Sequence, residues 1–315
     1  MRVLLTGATS FTGAYIAKAL KSQGIDLFVS STRDTCDWNQ LENLRWQFCE
    51  LKKENLIEKA PLDSFNFLEC IENIKPEVFI NHGAPVGNFR SPEFSLERFK
   101  REVCESLDQV FSKLKLNGAK TVIHSGSEFE DQIPDREASR YTEAKKLQWN
   151  YVREYGQKYS IKVIRVAIPN PFGPLESESK LLPRLIKAWT KNETLKFDYS
   201  APAVKWVCIK EVADRFLQVL SEHQSIENSS SVNFFSEKIP LETLEKICRE
   251  SFCYYVKTGE SFASVKEEEF SNQQKDRYPN LKSIQEPLRE YVKSLVLKDQ
   301  EWKGRSRSFN ITAQV

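Results

Sequence analysis

The first part of the chain alternates a short apolar run, an amphipathic stretch and a second apolar run. Residues 2–5 have the pattern of a strand, residues 14–22 that of a helix closed by Gly24, and residues 27–29 that of another strand. A strand, a helix and a strand within about 30 residues predict a βαβ unit, whose strands lie parallel in one sheet with a right-handed crossover. This feature predicts an α/β fold.

Later apolar runs continue the pattern. Each of them follows a helical pattern, and they lie at residues 78–80, 121–123 and 163–167. We therefore predict an α/β fold built on a Rossmann-type, doubly wound parallel sheet. Residues 1–170 together with about 204–240 are predicted to form this sheet domain, because two runs beyond residue 204 read as returning strands. Residues 171–203 together with 241–315 are predicted to form a smaller substrate-binding lobe.

Composition excludes several classes of function. The 46 Lys and Arg residues nearly balance the 44 Asp and Glu residues, and no block of like charge forms a nucleic-acid-binding arm. No apolar stretch approaches the roughly 20 residues of a membrane span, and the apolar start is too short for a signal peptide. The seven cysteines are scattered, as in reduced proteins, and the three histidines form no metal-ligating cluster. We expect a cytoplasmic protein without a metal ion, a nucleic-acid partner or a membrane partner.

The turn after the first strand is the first candidate site. It lies between a strand and a helix, where backbone N–H groups and the positive helix end can bind a dinucleotide pyrophosphate. Gly7 permits the tight turn, and Gly13 permits close packing of the helix. The residues predicted to bind the cofactor here are Gly7, Thr9, Ser10, Phe11, Thr12 and Gly13.

A tyrosine and a lysine four residues apart form the second candidate site. Tyr141 and Lys145 follow a predicted strand that ends in Ser125-Gly126-Ser127, and they begin a long amphipathic helix. The spacing places the phenol and the ammonium group on one helix face. There the cation is expected to stabilise the phenolate and lower the pKa of the tyrosine.

These motifs, in this order, resemble the extended short-chain dehydrogenase/reductase family, whose members mostly act on nucleotide sugars. The chain matches the family's Thr-Gly-x-x-Gly-x-x-Gly loop except at Ser10, whose side chain must point away from the pyrophosphate or crowd it. The chain also matches the family's Tyr-x-x-x-Lys, and residues 170–174 resemble its Asn-x-x-Gly-Pro.

The resemblance implies a role for each matched residue. Tyr141 is expected to transfer a proton, Lys145 to tune Tyr141 and hold the nicotinamide ribose, and Ser127 to orient the substrate oxygen. The residues implied to bind the substrate are Ser125, Ser127, Glu128 and Asn170. Those implied to line the cofactor beyond the glycine loop are Gly83, Ala84, Tyr141, Lys145 and Ile168.

The end of the second predicted strand bears on the choice of dinucleotide. An acidic residue there would bind the adenosine ribose and favour NAD, but the chain has Ser31 and Arg33 in this segment. A hydroxyl and a guanidinium suit a 2′-phosphate, so NADP(H) is the predicted cofactor and NAD is the alternative. The competing interpretation makes Arg33 a solvated loop residue.

The favoured function is the reduction of a 4-keto nucleotide sugar by NADPH. One alternative is a nucleotide-sugar epimerase or 4,6-dehydratase that retains its cofactor, with Glu128 as an acid or base. Against it, Glu128 also fits a solvated acidic loop with Glu130 and Asp131. Another alternative is a dinucleotide-binding sensor or scaffold without turnover, which Ser10 and the short loop before Tyr141 would suit.

The helix after Tyr141 bears on the oligomeric state. In the family this helix commonly packs against its twin in a dimer, so Trp149 and Tyr151 are candidates for a homodimer contact or for the core. The expected partners are therefore a small-molecule substrate and, in the first case, a second copy of the chain.

Overall fold

The computed structural model describes residues 1–84, 94–132, 139–196, 199, 202–258 and 282–298. These residues divide into two compact units. Unit 1 comprises the described residues of Met1–Pro169 and Ile209–Phe234, and unit 2 comprises those from 170 to 208 and from 235 onward. Of the predicted smaller lobe, residues 197–198, 200–201, 259–281 and 299–315 lie outside the described residues.

Unit 1 is built on a parallel sheet. Its strands are β1 (Arg2–Thr6), β2 (Asp26–Ser30), β3 (Leu56–Ile57), β4 (Val78–Asn81), β5 (Thr121–Ser127), β6 (Lys162–Ile168) and β9 (Ser230–Asn233). Within the described residues these seven strands lie in the order β3-β2-β1-β4-β5-β6-β9, and every neighbouring pair is parallel. Every residue of β4 and β5 is buried, as expected of parallel strands that are covered on both faces. The predicted doubly wound α/β fold is confirmed.

Helices cover this sheet. They are α1 (Phe11–Ser22), α2 (Gln40–Cys49), α3 (Phe65–Ile74), α4 (Leu96–Phe99), α5 (Leu107–Leu116), α6 (Phe129–Gln132), α7 (Arg140–Tyr159) and α9 (Ile209–Glu222), with a π-helical segment at Lys100–Glu105. On one face α3, α5 and α7 form a core cluster with Leu4 and Phe79 of the sheet. The neighbouring Leu5 and Ile80 are also buried and point to the opposite face, where α1 packs against α2 and α9.

Unit 2 contains a smaller sheet of its own. Its strands are β7 (Asn170–Phe172), β8 (Val204–Cys208) and β10 (Lys238–Ile239), and its helices are α8 (Leu181–Thr190), α10 (Leu241–Thr258) and α11 (Lys282–Lys298). β8 lies in the middle, parallel to β7 and antiparallel to β10. Leu182, Leu244 and Leu288, one from each helix, pack in one cluster with Phe172. In the ranges that the structure describes, no helix is both long and apolar enough to cross a bilayer.

The position of β8 corrects the sequence prediction that residues from about 204 return to the large sheet. The edge of that sheet beside β6 is occupied by β9, through pairs that run from Ile164 with Ser230 to Ala167 with Asn233. β7 starts directly after Pro169, and β8 pairs with β7 instead. An apolar run predicts a strand but does not identify the neighbour with which the strand will pair.

Candidate active site

The loop between β1 and α1 forms a tight backbone cradle. Gly7 has a φ of +75°, a left-handed conformation that favours glycine. A Cβ on Gly13 would lie 2.0 Å from the Gly7 carbonyl oxygen, so α1 approaches the turn only because position 13 has no side chain. A Cβ on Gly83, after β4, would lie 3.0 Å from the Gly7 nitrogen. The next residue, Ala84, packs against the cluster around Phe99.

Ser10 stands where the family loop has its middle glycine, and its hydroxyl is engaged within the protein. Ser10 is the N-cap of α1, and its Oγ accepts the Gly13 amide N–H at 3.0 Å. The same Oγ lies 3.0 Å from Nε2 of His82. The Ser10 side chain is therefore held by partners that leave the first two amide groups of α1 unoccupied.

Whether the loop fits a dinucleotide depends on the N–H groups that it leaves available to a ligand. Within the described part of the chain, the N–H groups of Phe11 and Thr12 donate to no protein acceptor. The loop is also tied to α2, because the Thr9 carbonyl accepts a guanidinium N–H of Arg45 at 3.1 Å. Two available amides at a helix N-terminus, beside a tight turn at Gly7, suit an anion. The loop therefore fits the pyrophosphate of a dinucleotide.

Ser31 and Arg33, the polar residues after β2, differ in burial and in their partners. Ser31 is buried, and its Oγ donates to the Arg33 carbonyl at 2.8 Å and accepts from Trp38 Nε1 at 3.2 Å. Arg33 forms an ion pair with Glu42, and 48% of its side chain is exposed. Ser31 therefore holds the turn together, whereas Arg33 is presented to solvent with a carboxylate beside it.

The end of β5 and the start of α7 bring the predicted catalytic residues together. α7 begins where Ser139 caps it, since the Ser139 Oγ accepts the Thr142 amide N–H at 3.2 Å. In the first turn, Tyr141 shares a side-chain hydrogen bond with Ser127, the last residue of β5. Burial and then the negative charge of Glu130 raise the pKa of Tyr141 to about 12, while the bond to Ser127 opposes the rise. The phenol is therefore protonated at neutral pH.

Lys145 lies one turn further along α7. Its buried Nζ donates to the Ser125 carbonyl at 2.6 Å and to Gln148 Oε1 at 3.1 Å. Burial lowers the pKa of Lys145. The expectation that this cation lowers the pKa of Tyr141 is wrong here, because that pKa is raised. Lys145 instead ties α7 to the end of β5.

A buried ion pair lies behind Ser127 and was not expected. Glu130 is 2% exposed and accepts the Ser127 backbone N–H, and its second oxygen lies 2.9 Å from a guanidinium nitrogen of Arg165. Arg165 also pairs with Asp131 and lies over the Trp149 ring at 5.5 Å. The solvated-loop interpretation is thus wrong for Glu130. The available signal was Arg165, since a charge inside the apolar run of β6 requires a buried partner.

The remaining predicted residues lie in both units. In unit 1, Ser125 and Glu128 are buried, and the carbonyl of Ile168 accepts the Glu128 amide N–H at 3.0 Å. Asn170 belongs to unit 2, where its side-chain amide donates to the Lys205 carbonyl at 3.0 Å. Contacts of these residues with a substrate or cofactor stay predictions.

The candidates for a dimer contact differ in exposure. Trp149 is 7% exposed and stacks on His124, with ring centroids 5.8 Å apart. Trp149 therefore belongs to the core and does not provide a surface for a second copy. Tyr151 is half-buried and packs against the core cluster that α3, α5 and α7 form on the sheet.

Comparison with known proteins places this geometry in context. A sequence model of the NAD dependent epimerase/dehydratase family matches residues 3–234. Protein Rcp of Vibrio cholerae serotype O1 (strain ATCC 39315 / El Tor Inaba N16961) is 30% identical over 110 residues, which are 34% of this chain and 47% of that protein. The chain thus spans about half the length of this curated relative.

Solved structures share the fold over most of the chain. A UDP-glucose 4-epimerase from Thermotoga maritima, with UDP-glucose, has a TM-score of 0.69 at 15% identity, covering 95% of this chain and 99% of that one. DesIV, a dTDP-glucose 4,6-dehydratase from Streptomyces venezuelae with NAD and TYD bound, has a TM-score of 0.70 at 16% identity, covering 96% and 98%. At these identities the likeness concerns the fold.

Proposed function

The chain belongs to the NAD dependent epimerase/dehydratase family, whose members are NAD(P)-dependent enzymes, and on this premise we propose that it reduces a 4-keto nucleotide sugar with NADPH. The observation that carries the proposal is the hydrogen-bonded pair of Tyr141 and Ser127, in which the phenol keeps its proton. A protonated phenol beside a second hydroxyl is suited to give a proton to a carbonyl oxygen. The UDP-glucose in one structure of similar fold, and the description of another as a dTDP-glucose 4,6-dehydratase, support a nucleotide sugar as the substrate class.

Each residue of the site has a defined task in this reaction. NADPH, when bound, supplies the hydride that adds to the carbonyl carbon. Ser127 donates a hydrogen bond that orients the carbonyl oxygen, and Tyr141 transfers its phenolic proton to that oxygen. The reaction would yield an alcohol and the oxidised dinucleotide, and the Tyr141 phenolate would regain its proton from water. Lys145 holds the end of β5 against α7 through the Ser125 carbonyl, so that both hydroxyls keep their positions.

Two parts of unit 1 would hold the dinucleotide. The amides of Phe11 and Thr12 would bind the pyrophosphate, and Arg33 would bind the 2′-phosphate that distinguishes NADP from NAD. Glu42 already pairs with Arg33 and therefore competes with that phosphate. The balance between these two partners of Arg33 is expected to set the preference for NADP(H).

Variants of Arg33 and Glu42 test whether the protein prefers NADP(H). Glu42→Gln is expected to strengthen NADPH binding by up to about fivefold, because an exposed ion pair of this kind contributes about 0.2–1 kcal/mol. Glutamine preserves the capping box that Glu42 forms with Asn39 at the start of α2. Arg33→Ala is expected to weaken NADPH binding by about 10- to 100-fold, since it removes a charged hydrogen-bond donor.

The measurement is the dissociation constant of each variant for NADPH and for NADH, from nicotinamide fluorescence. NADH serves as the matched ligand control, because it lacks the 2′-phosphate and its affinity should be insensitive to both substitutions. Equal changes for the two dinucleotides, or tighter binding of NADH by the unmodified protein, would contradict the assignment.

The proposed function itself is tested by binding and then by turnover. The purified protein is checked for co-purified dinucleotide, titrated with NADPH and NADH, and assayed for NADPH oxidation with 4-keto derivatives of UDP- and dTDP-sugars. We expect reversible, selective NADPH binding and consumption of NADPH with one of these substrates. Selective binding with no turnover of any 4-keto nucleotide sugar would favour a sensor or scaffold instead.

An epimerase or 4,6-dehydratase that retains NAD is the second candidate, and Glu128 favours it. Glu128 directly follows Ser127 and is 9% exposed, so it does not belong to a solvated loop. Its carboxylate could remove or add the proton that these reactions require. NAD that co-purifies with the protein, together with substrate conversion that consumes no added NADPH, would select this candidate over the reductase.

A further inference from the structure

His82 lies between the two segments that the proposed reaction requires. Its Nε2 is 3.0 Å from the Oγ of Ser10 and 2.8 Å from the Oγ1 of Thr12, at the start of α1. Its Nδ1 is 2.6 Å from the Oγ of Ser125 on β5. One imidazole ring therefore connects the anion cradle to the strand that ends in Ser127.

The ring is fixed by its surroundings as well. The His82 backbone N–H donates to the Oγ1 of Thr6 at 3.0 Å, which ties the end of β4 to β1. On its other side the ring meets Phe216 of α9 edge-on, with centroids 6.4 Å apart and an interplanar angle of 89°. Both ring nitrogens of His82 have hydroxyl partners at hydrogen-bond distance, and these partners belong to different elements, α1 and β5.

The surroundings of His82 bear on its protonation and on its tautomer. Burial, with the nearby positive charge of Lys145, lowers the pKa of His82 to about 3, so the ring is neutral at physiological pH. The Ser10 Oγ already accepts the Gly13 amide N–H, so the Ser10 hydroxyl hydrogen is available to Nε2. In the tautomer that accepts this hydrogen, Nε2 is the acceptor and Nδ1 donates its own hydrogen to Ser125.

Ser125 extends this connection to the catalytic helix. Its hydroxyl bonds to His82, while its backbone carbonyl accepts the Nζ of Lys145 at 2.6 Å. A continuous set of hydrogen bonds thus runs from the start of α1, through one ring and one serine, to α7.

We propose that His82 is a positioning residue that couples dinucleotide binding at the start of α1 to the placement of Ser125 and Lys145. The inference rests on the proposed function, because it takes the loop to be the dinucleotide site. Such coupling is reciprocal. If dinucleotide binding at the loop favours one arrangement of β5 by a given factor, that arrangement raises the affinity of the loop for the dinucleotide by the same factor.

The first test concerns the bridge itself and needs no cofactor. The chain has three histidines, so long-range ¹H–¹⁵N spectra of the imidazoles are simple, and the His82→Gln variant identifies the His82 signals. At pH 7 we expect a neutral ring with hydrogen on Nδ1. A protonated ring, or rapid exchange between the two tautomers, would overturn the bridge.

The second test is a double-mutant cycle on the NADPH dissociation constant. Thr12→Val and Ser125→Ala each remove one hydroxyl partner of His82, and each is expected to weaken NADPH binding by about 3- to 10-fold. With His82 present, the double variant should depart from the product of the two effects by about threefold or more. In the His82→Phe background, which removes both ring nitrogens, the two effects should be multiplicative within about twofold.

Two further variants separate positioning from folding. His82→Gln retains one donor and one acceptor and should bind NADPH more tightly than His82→Phe. His223→Gln is the matched control, because the His223 ring lies 2.6 Å from the Leu220 carbonyl at the end of α9, away from the loop after β1, and its loss should leave the NADPH dissociation constant unchanged. If the effects of Thr12→Val and Ser125→Ala are multiplicative with His82 present, the positioning role of His82 is overturned and the proposed function stands. If the protein binds no dinucleotide at all, the proposed function is overturned as well.

Discussion

The Tyr141→Phe variant is expected to reduce its 4-keto substrate about 10²- to 10⁴-fold more slowly than the unmodified protein. The substitution removes the phenolic hydroxyl that bonds to Ser127 and would donate the proton, while the aromatic ring keeps its place in the first turn of α7. Without that donor, water must protonate the developing alkoxide. The measurement is the single-turnover rate constant for NADPH oxidation at saturating substrate.

The matched control removes a hydroxyl from the other end of the same helix. The Tyr159 hydroxyl donates to Asp108 at 2.8 Å, outside the candidate site, so Tyr159→Phe should leave the rate constant within about twofold. A Tyr141→Phe protein that retains full turnover would remove Tyr141 as the acid and favour the interpretation as a sensor.

The pH dependence of the same rate constant reports on the state of the phenol. The pKa of Tyr141 is raised to about 12, so the proton-donating form is fully populated at neutral pH and is lost only as the pH rises through that value. The rate of reduction should therefore stay constant from about pH 6 to about pH 10. A decline with a midpoint below about pH 9 would instead indicate a phenol whose pKa is lowered in the working complex.

The Arg165→Met variant is expected to lose about 3–5 kcal/mol of the free energy of unfolding. Arg165 and Glu130 are 5% and 1% exposed in their side chains, so removing the guanidinium leaves a buried carboxylate whose charge has no equivalent compensation. The Ser127 amide would remain as a partner of Glu130, but a single neutral donor does not replace a cation. Urea denaturation followed by tryptophan fluorescence measures the loss.

A second substitution should recover much of that stability. Arg165→Met combined with Glu130→Gln removes both charges and keeps an oxygen that can accept the Ser127 amide N–H. The comparison pair is Lys113 with Glu72, whose side chains are 34% and 47% exposed, so Lys113→Met should change the free energy of unfolding by less than about 1 kcal/mol. Equal losses for Arg165→Met and Lys113→Met would contradict the role assigned to burial.

Local sequence patterns predict the architecture of residues 1–169 of unit 1, because the strands and helices of this segment follow one another along the chain. The βαβ unit over the first 30 residues and the short runs that become β4, β5 and β6 follow directly from apolar periodicity. The position of Val204–Cys208 was predicted wrongly, because the choice between two sheets depends on which edges are already occupied. Periodicity contains no information about that competition.

The candidate site was predictable where motifs carry the chemistry and not where burial does. Tyr141 and Lys145 are identified by their spacing, and Gly13 by the turn that contains it. The position of Glu130 against Arg165 depends on the return of β6 beside β5, which brings together residues 35 positions apart. The direction of the Tyr141 pKa shift could not be predicted either, since it depends on burial and on Glu130.

The edge position of β9 has a consequence for how the protein is made. The ribosome releases β1 to β6 long before Ile209–Phe234, yet β9 and α9 complete the same compact unit. Until then a nascent chain carries β6 with an unpaired ladder of N–H and C=O groups, and α1 packs against α2 without α9. A product that stops after β6 and before residue 230 retains this open edge, so premature termination there yields a species prone to pair with other chains.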